Sequence, residues 1–390
     1  MCEMATMTKE RKRKTQDGGI SLSTRDLKAA LAAVAPAVPA RSPRPVLQNV
    51  LLSGAVLSGS DGDIRIDVTL ENAPPGINVL LPKERFSAIV ANATGDEITL
   101  VPNGTTCIVR AGHGEWTLPT EDAAEYPAWT PTNAKSVTRL PADQFVRAVR
   151  GTVFATDNES SRYALGAVLV EVDGEDVTFV ATDGRRLASV SCQHDLAVDD
   201  RRAPKFEGEK VEPGVLVPAR AIGIISRIAG NAGDAAVQLE ATPSEIVATI
   251  GGTVVTARLV DGRFPKWRDV VPERDAKATT VDRAALMAAT RAAAIVTSEN
   301  SKGVDYTFAN TGIWLHGQSA ECGESSVTCD VVEAGDSCSV KLDPTFVVEW
   351  LNGISGDAEP EVEVEAVDEQ SAVVLRCGDH TGVIMPLAKD

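Results

Sequence analysis

The sequence predicts an α+β chain made by duplication, and three observations carry that reading. Amphipathic helices recur six times, each entered through a proline or a capping residue. Three of the entries resemble one another as strand, proline, helix: VLLPKERFSAIV (79–90), VLVPARAIGIIS (215–226) and VKLDPTFVVEWL (340–351). Between the helices lie strand-like runs broken by Asp-Gly, Asn-Gly or Gly-Gly turns at 61–62, 103–104, 251–252 and 261–262. A repeat of roughly 60 residues is too long for the common solenoids and fits duplicated α+β domains. Pairing the six units predicts a basic tail (1–17) and three domains, 18–136, 137–275 and 276–390.

Each helix is justified by its apolar stripe. The first follows Ser23 and Thr24, with Leu27, Leu31 and Val34 inward and Arg25 and Lys28 outward. The second begins at Pro82 and buries Phe86, Ile89 and Val90, with Lys83 at its start. The third begins at Pro141, with Phe145, Val149 and Val153 inward and Arg147 and Arg150 outward. In the fourth, from Pro218, Ile222, Ile225 and Ala229 lie opposite Arg220 and Arg227. The fifth starts near Asp282, with Leu286, Ala289 and Ala293 opposed by Arg283 and Arg291. The sixth opens with Asp343-Pro344 and buries Phe346, Val347, Trp350 and Leu351. Among the strands, the stretch 162–188 reads as a hairpin turning at Asp173-Gly174. Val168, Val170 and Val172 alternate on one arm, and Val177, Phe179 and Ala181 on the other. It closes on Thr182-Asp183-Gly184-Arg185-Arg186-Leu187, a turn that displays two guanidiniums beside an apolar side chain.

Composition narrows the class. Apolar content of 43% and charge of 24% are ordinary for a soluble globular chain. No window reaches the roughly 20 apolar residues of a membrane helix. The N-terminal stretch has charge but no apolar core, so it reads as a solvated basic tail rather than a secretory signal. Seven scattered cysteines, with no C-x-x-C, fit a reducing cytoplasm and argue against zinc. A hydrolase using Asp61, Asp63 or Asp183 with a histidine is the enzyme alternative, but no P-loop, H-E-x-x-H or G-x-S-x-G accompanies them. A peptide-binding module unrelated to DNA is a third reading. The net charge of −17 has the wrong sign for a general DNA binder. On the six helices, however, ten basic residues face six acidic ones. Those cations either snorkel at a solvated face or line one positive surface inside an acidic shell.

Three distant stretches together resemble one family. They are RYALGAVLVEVDGEDVTFVATDGRRLA (162–188), LVDGRFPKWRDVVP (259–272) and GVIMPL (382–387). In this order they are similar to the bacterial DNA polymerase III beta subunits, the sliding clamps, and the similarity runs from about Gly19 to Leu387. It implies three clamp domains, each with two helices packed on antiparallel sheets, closed head-to-tail as a homodimer into a ring. It implies a non-catalytic processivity factor that encircles double-stranded DNA without reading sequence. The implied partners are the polymerase alpha subunit, the clamp loader and other proteins with a clamp-binding motif. No cofactor, metal or membrane is implied.

The resemblance also assigns residues. The three stretches meet as a peptide pocket formed by Leu165, Thr182, Gly184, Arg185, Arg186, Leu187, Pro265, Asp269, Val270, Val383, Ile384, Met385, Pro386 and Leu387. There an apolar trough with a flexible methionine would take a peptide, and arginine at the rim would hold its polar groups. Arg185 stands where many members have histidine and Asp269 where arginine is frequent, and Lys389-Asp390 extend past the usual end. Arg41, in RSPRPVLQN (41–49), takes the role of a DNA contact beside the helix cations Arg25, Lys28, Lys83, Arg147, Arg150, Arg220, Arg227, Arg283 and Arg291. Glu159 falls where the family has a polar DNA contact and is ill suited to phosphate. Trp116, in WTLPTEDAAEYP (116–127), is placed at the dimer interface against Ile295 and Val296; a core tryptophan is the alternative.

Overall fold

One strand, one helix and three strands recur six times in the computed structural model. It describes residues 19–71, 73, 76–129, 135–157, 163–173, 176–193, 214–272, 276–298, 303–354 and 360–388. The basic tail, Glu159, Gly174 and Lys389-Asp390 lie outside these residues. The first repeat is β1 (Ile20–Ser23), α1 (Thr24–Val34), β2 (Asn49–Ser53), β3 (Val56–Ser60) and β4 (Ile64–Thr69). The second is β5 (Asn78–Pro82), α2 (Lys83–Asn92), β6 (Glu97–Asn103), β7 (Thr106–Ala111) and β8 (Gly114–Pro119). The third is β9 (Lys135–Pro141), α3 (Ala142–Arg150), β10 (Ala167–Asp173), β11 (Asp176–Thr182) and β12 (Arg186–Gln193). The fourth is β13 (Val215–Pro218), α4 (Ala219–Gly230), β14 (Ala236–Ala241), β15 (Glu245–Ile250) and β16 (Thr253–Arg258). The fifth is β17 (Thr279–Asp282), α5 (Arg283–Ala293), β18 (Val304–Ala309), β19 (Gly312–Ser319) and β20 (Gly323–Cys329). The sixth is β21 (Cys338–Leu342), α6 (Pro344–Gly353), β22 (Glu361–Glu365), β23 (Val373–Cys377) and β24 (His380–Ile384).

The repeats are intertwined in pairs. Each entry strand leaves its own helix and joins the three-strand set of its partner repeat. Thus β1 extends β6-β7-β8 while β5 extends β2-β3-β4. Likewise β9 and β13 extend β14-β15-β16 and β10-β11-β12, and β17 and β21 extend β22-β23-β24 and β18-β19-β20. No repeat has a complete sheet without its mate, so the pair is the folding unit. Helices pack pairwise in the same way, α1 on α2, α3 on α4 and α5 on α6. By contact density the chain divides into two compact units, residues 1–130 with 252–254, and residues 131–251 with 255–390.

Helix starts follow the expected chemistry. Ser23, Asp282 and Asp343 cap α1, α5 and α6 by accepting the backbone N–H of Asp26, Ala285 and Thr345. Pro82, Pro141 and Pro218 occupy the same position before α2, α3 and α4, with no side-chain cap. The inward residues expected on the first five helices are buried, Val153 excepted, which is half-buried in a short 3-10 turn after α3. Each fully buried Leu, Ile, Val or Phe on these stripes stabilises the fold by roughly 1.5–3 kcal/mol. Phe145 of α3 meets Phe179 of β11 edge-to-face at 5.6 Å, joining helix to sheet. On α6, Val347, Trp350 and Leu351 are buried as expected, whereas Phe346 is only half-buried. The reason is a charged neighbour, described below. Gly382 lets α6 approach β24, since a Cβ there would lie 2.5 Å from Trp350 Nε1.

Candidate functional site

Backbone pairing in the second unit brings the first and last of the three quoted stretches together. Strand β12 runs antiparallel to β24, with Leu187 opposite Val383 and Arg186 opposite Ile384. Side chains alternate along a strand, so these two pairs point to opposite faces of the sheet. Leu187 and Val383 share one cluster with Ala167, Val180, Leu216 and Phe264. Trp267 and Val271 of the 259–272 loop, and Ala372 before β23, pack against its margin. Leu165 is buried in the 3-10 turn Tyr163–Gly166 just before β10. Met385 continues the Val383 side of β24 and is 44% exposed, and Val270 is 46% exposed. The result is a buried apolar floor with exposed apolar side chains beside it.

The turn at one edge is tightly fixed. Thr182 Oγ1 donates to the Arg186 carbonyl at 2.6 Å and accepts from the Gly184 N–H at 3.1 Å. Asp183 Oδ1 accepts from the N–H groups of Arg185 (2.8 Å) and Arg186 (3.0 Å). Gly184 has φ +87°, a conformation that glycine adopts without strain. The Arg185 carbonyl then accepts from the Met385 N–H at 2.8 Å, which seats the C-terminal segment beside the turn. Arg185 is exposed, and Pro386 and Leu387 are half-buried. Leu387 is tied back by its N–H to the Lys341 carbonyl at 2.8 Å.

Two assigned residues require correction. The Arg186 guanidinium is not a free rim cation. It contacts the Glu349 carboxylate, bonds Asp183 Oδ2 at 3.0 Å and the Phe154 carbonyl at 2.6 Å, and lies 4.3 Å over the Phe346 ring. Phe346 is therefore held half-buried as a cation–π platform rather than as core. Ile384 is likewise buried on the Arg186 side of the sheet, away from Leu187 and Val383. Strand alternation is the cause in both cases. The sequence reading missed Phe264, Trp267, Val180 and Leu216; each lies in a stretch quoted above, but that they share one sheet face was not visible.

The expected DNA-facing cations fall into two groups. Arg25, Lys28, Arg41, Arg220 and Arg227 are exposed, and Lys83 is half-buried. Arg147 is paired with Asp379 at 3.2 Å. The remaining three converge on the C-terminal end of α6. Arg150 donates to the Asn352 carbonyl at 2.9 and 3.1 Å, Arg283 to the Ile354 carbonyl at 2.9 Å, and Arg291 to Asn352 Oδ1 at 3.2 Å. α6 has no basic residue of its own; Arg150 and Arg283 meet carbonyls at its C-terminal, negative dipole end, and Arg291 meets the Asn352 side chain there. They are not purely solvated charges, and each holds helices together.

The expected interface residues flank strands at sheet ends. β8 ends the sheet β1-β6-β7-β8, and Trp116 on it is 39% exposed, with its ring over Gly114. β20 ends the sheet β20-β19-β18-β21; the 3-10 turn Ala294–Val296 packs beside it, and Ile295 is 78% exposed. Val296 is half-buried in the same turn. A core role for Trp116 is excluded by its exposure. Asp61 and Asp183, the enzyme alternative's carboxylates, are turn formers: Asp61 Oδ1 accepts from the N–H groups of Asp63 and Ile64. Burial raises the pKa of Cys107 and Cys192, and that of Cys329 to about 11, so these thiols stay protonated at neutral pH. Among the described residues no helix is long and apolar enough to cross a membrane.

Family models match in three consecutive blocks. The N-terminal domain of the DNA polymerase III beta subunit matches residues 19–130, the central domain residues 139–266 and the C-terminal domain residues 268–387. The beta sliding clamp of Synechococcus elongatus is 25% identical over 368 residues, 90% of this chain and 93% of that protein. The beta sliding clamp of Escherichia coli K12 is 26% identical over 346 residues, 85% and 91% of the two chains. A crystal structure of the Pseudomonas aeruginosa sliding clamp bound to griselimycin is similar with a TM-score of 0.84 and 26% identity, covering 95% of this chain and 100% of that one.

Proposed function

The chain belongs to the DNA polymerase III beta subunit family, and from that membership we propose how its surfaces serve a sliding clamp. It is a non-catalytic processivity factor, with three clamp domains of helices and antiparallel sheets. The observation that carries the ring is the pair of terminal strands. β8 and β20 each end a sheet, and each has one large exposed apolar side chain at hand, Trp116 and Ile295. Open strand edges of this kind pair with another strand or aggregate. In our reading β8 of one copy meets β20 of a second, and the same contact repeats to close a two-fold ring. The domain limits 18–136, 137–275 and 276–390 belong to the same reading, as does a cytoplasmic location.

Closure makes strong DNA contacts unnecessary. Arg25, Lys28, Lys83, Arg41, Arg220 and Arg227 would meet phosphates loosely and without sequence preference. The acidic remainder of the chain would repel DNA from the outside. The trough of Leu187, Val383, Met385 and Val270 would take the apolar anchors of a peptide from the polymerase, the loader or another partner, with Arg185 and Asp269 reading its charge. The griselimycin complex of the related clamp is consistent with a ligandable surface in this family.

The test is topological. Protein loaded on nicked circular DNA should remain bound through gel filtration and be lost once the circle is cut to a linear duplex. Equal loss from circle and linear DNA would falsify encirclement.

A further inference from the structure

Glu171 stands on β10 two residues beyond Leu169, on the face of the sheet that carries the trough. Its side chain is only 8% exposed. One oxygen, Oε2, accepts two bonds from the 259–272 loop, from Arg268 Nη1 at 2.8 Å and from Trp267 Nε1 at 3.3 Å. The Arg268 guanidinium lies 4.4 Å over the Trp267 ring, so a single carboxylate orders both residues as one body. Trp267 in turn packs on the cluster that contains Leu187 and Val383.

Phe264 anchors the loop in the buried cluster, and Val260 and Val271 pack beside it, but these apolar contacts leave the polar orientation of Trp267 and Arg268 open. From Val260, whose N–H bonds the Leu216 carbonyl at 3.0 Å, the loop runs to the 3-10 turn Trp267–Val270 without a strand partner. Among the described residues its internal backbone tie is Asp269 N–H to the Lys266 carbonyl at 3.1 Å. A nearly buried carboxylate also needs these donors, because an uncompensated charge there is costly. The attachment is therefore mutual.

We propose that Glu171 is a positioning residue of the peptide pocket. It touches no peptide; it fixes the loop that carries Pro265, Asp269 and Val270 at the margin of the trough. The proposal rests on the peptide-pocket reading above. It differs from a role in stability alone, which would leave the affinity of the folded protein unchanged.

The experiment titrates a short fluorescein-labelled peptide, with one glutamine and two Leu/Phe anchors, into the full-length dimer. Wild type is compared with Glu171→Ala, Glu171→Gln, Arg268→Met and Met385→Ala, and the Trp267 indole ¹⁵N–¹H resonance is followed in each. Glu171→Ala should weaken binding about tenfold, on the order expected for losing a charge-assisted contact, and should move the indole resonance. Glu171→Gln keeps an acceptor for Trp267 and should recover part of that loss. Arg268→Met, at an exposed position that should fold regardless, should cost about threefold. Wild-type affinity in Glu171→Ala or in Arg268→Met overturns the proposal, whatever happens to the unfolding midpoint. Equal binding by wild type and Met385→Ala would instead remove the pocket reading on which it depends.

Discussion

Arg186 shows how far a residue's role depends on the face it is given. Beside Arg185 in sequence, it is nevertheless committed to Glu349, Asp183, the Phe154 carbonyl and the Phe346 ring, while Arg185 is exposed. Arg185→Ala should therefore change peptide affinity with an unchanged melting temperature. Arg186→Ala should lower the melting temperature, because it strands the Glu349 partner and the Phe346 platform. Thermal unfolding beside peptide titration checks both, and the reverse pattern would reject the assignment. Asp269→Arg should shift preference toward peptides with an acid near the anchors by about 1 kcal/mol or less, since a rim charge is screened. Paired titrations with acidic and neutral peptides measure it. Thiols give a chemical test at the same scale. Exposed Cys322 should alkylate at pH 8 ahead of Cys107, Cys192 and Cys329, whose burial both shields them and raises their pKa. Peptide mapping of iodoacetamide adducts over time would show the order.

At the scale of elements, exposed apolar side chains mark two kinds of edge. Trp116 on β8 and Ile295 beside β20 sit where a strand has room for a partner. Trp116→Ala should weaken the dimer by about 2 kcal/mol or more, as removal of an interfacial aromatic usually does. Ile295→Asp should do the same by burying a charge. Sedimentation at micromolar concentration tests both, and dimers of wild-type stability would displace the interface from these strands. Gly114→Ala is a subtler probe, because its Cβ would lie 2.1 Å from the Trp116 ring and force the indole to move. The helices tell a complementary story. Their stripes and caps were legible in sequence, as were the entry strands before α2, α4 and α6. That the entry strand would join the sheet of the partner repeat was not, because local periodicity carries no information about which strands pair.

The whole molecule carries a charge of −17, yet its assigned task is to hold a polyanion. Counting helix cations anticipated a surplus of basic residues, but the structure divides that count. Arg150, Arg283 and Arg291 serve the end of α6, and Arg147 serves Asp379, whereas Arg25, Lys28 and Arg41 are exposed. Replacing those last three by Glu should weaken equilibrium binding to linear duplex and flatten its salt dependence, while retention on a nicked circle, which closure sets, stays as in wild type. Each phosphate contact contributes roughly 0.9 to the slope of log affinity against log salt. The dimer should sediment unchanged. Affinity for linear duplex across a salt series would check this, and an unaltered slope would take these residues off the DNA-facing surface.

Sequence by itself determined the six helices, their buried faces apart from Phe346 and Val153, the duplicated α+β class and the family, because each is written in local periodicity or in contiguous motifs. It also brought Leu187, Val383 and Met385 to one site through motif resemblance. Only tertiary structure decided which side of the sheet each neighbour faces, sending Arg186 and Ile384 away from Leu187 and Val383. Only tertiary structure set Glu171 beneath Trp267 and Arg268, nearly a hundred positions along the chain. Pairing register and face are long-range properties: a one-residue difference along a strand reverses a side chain, and nothing local to that residue records the choice.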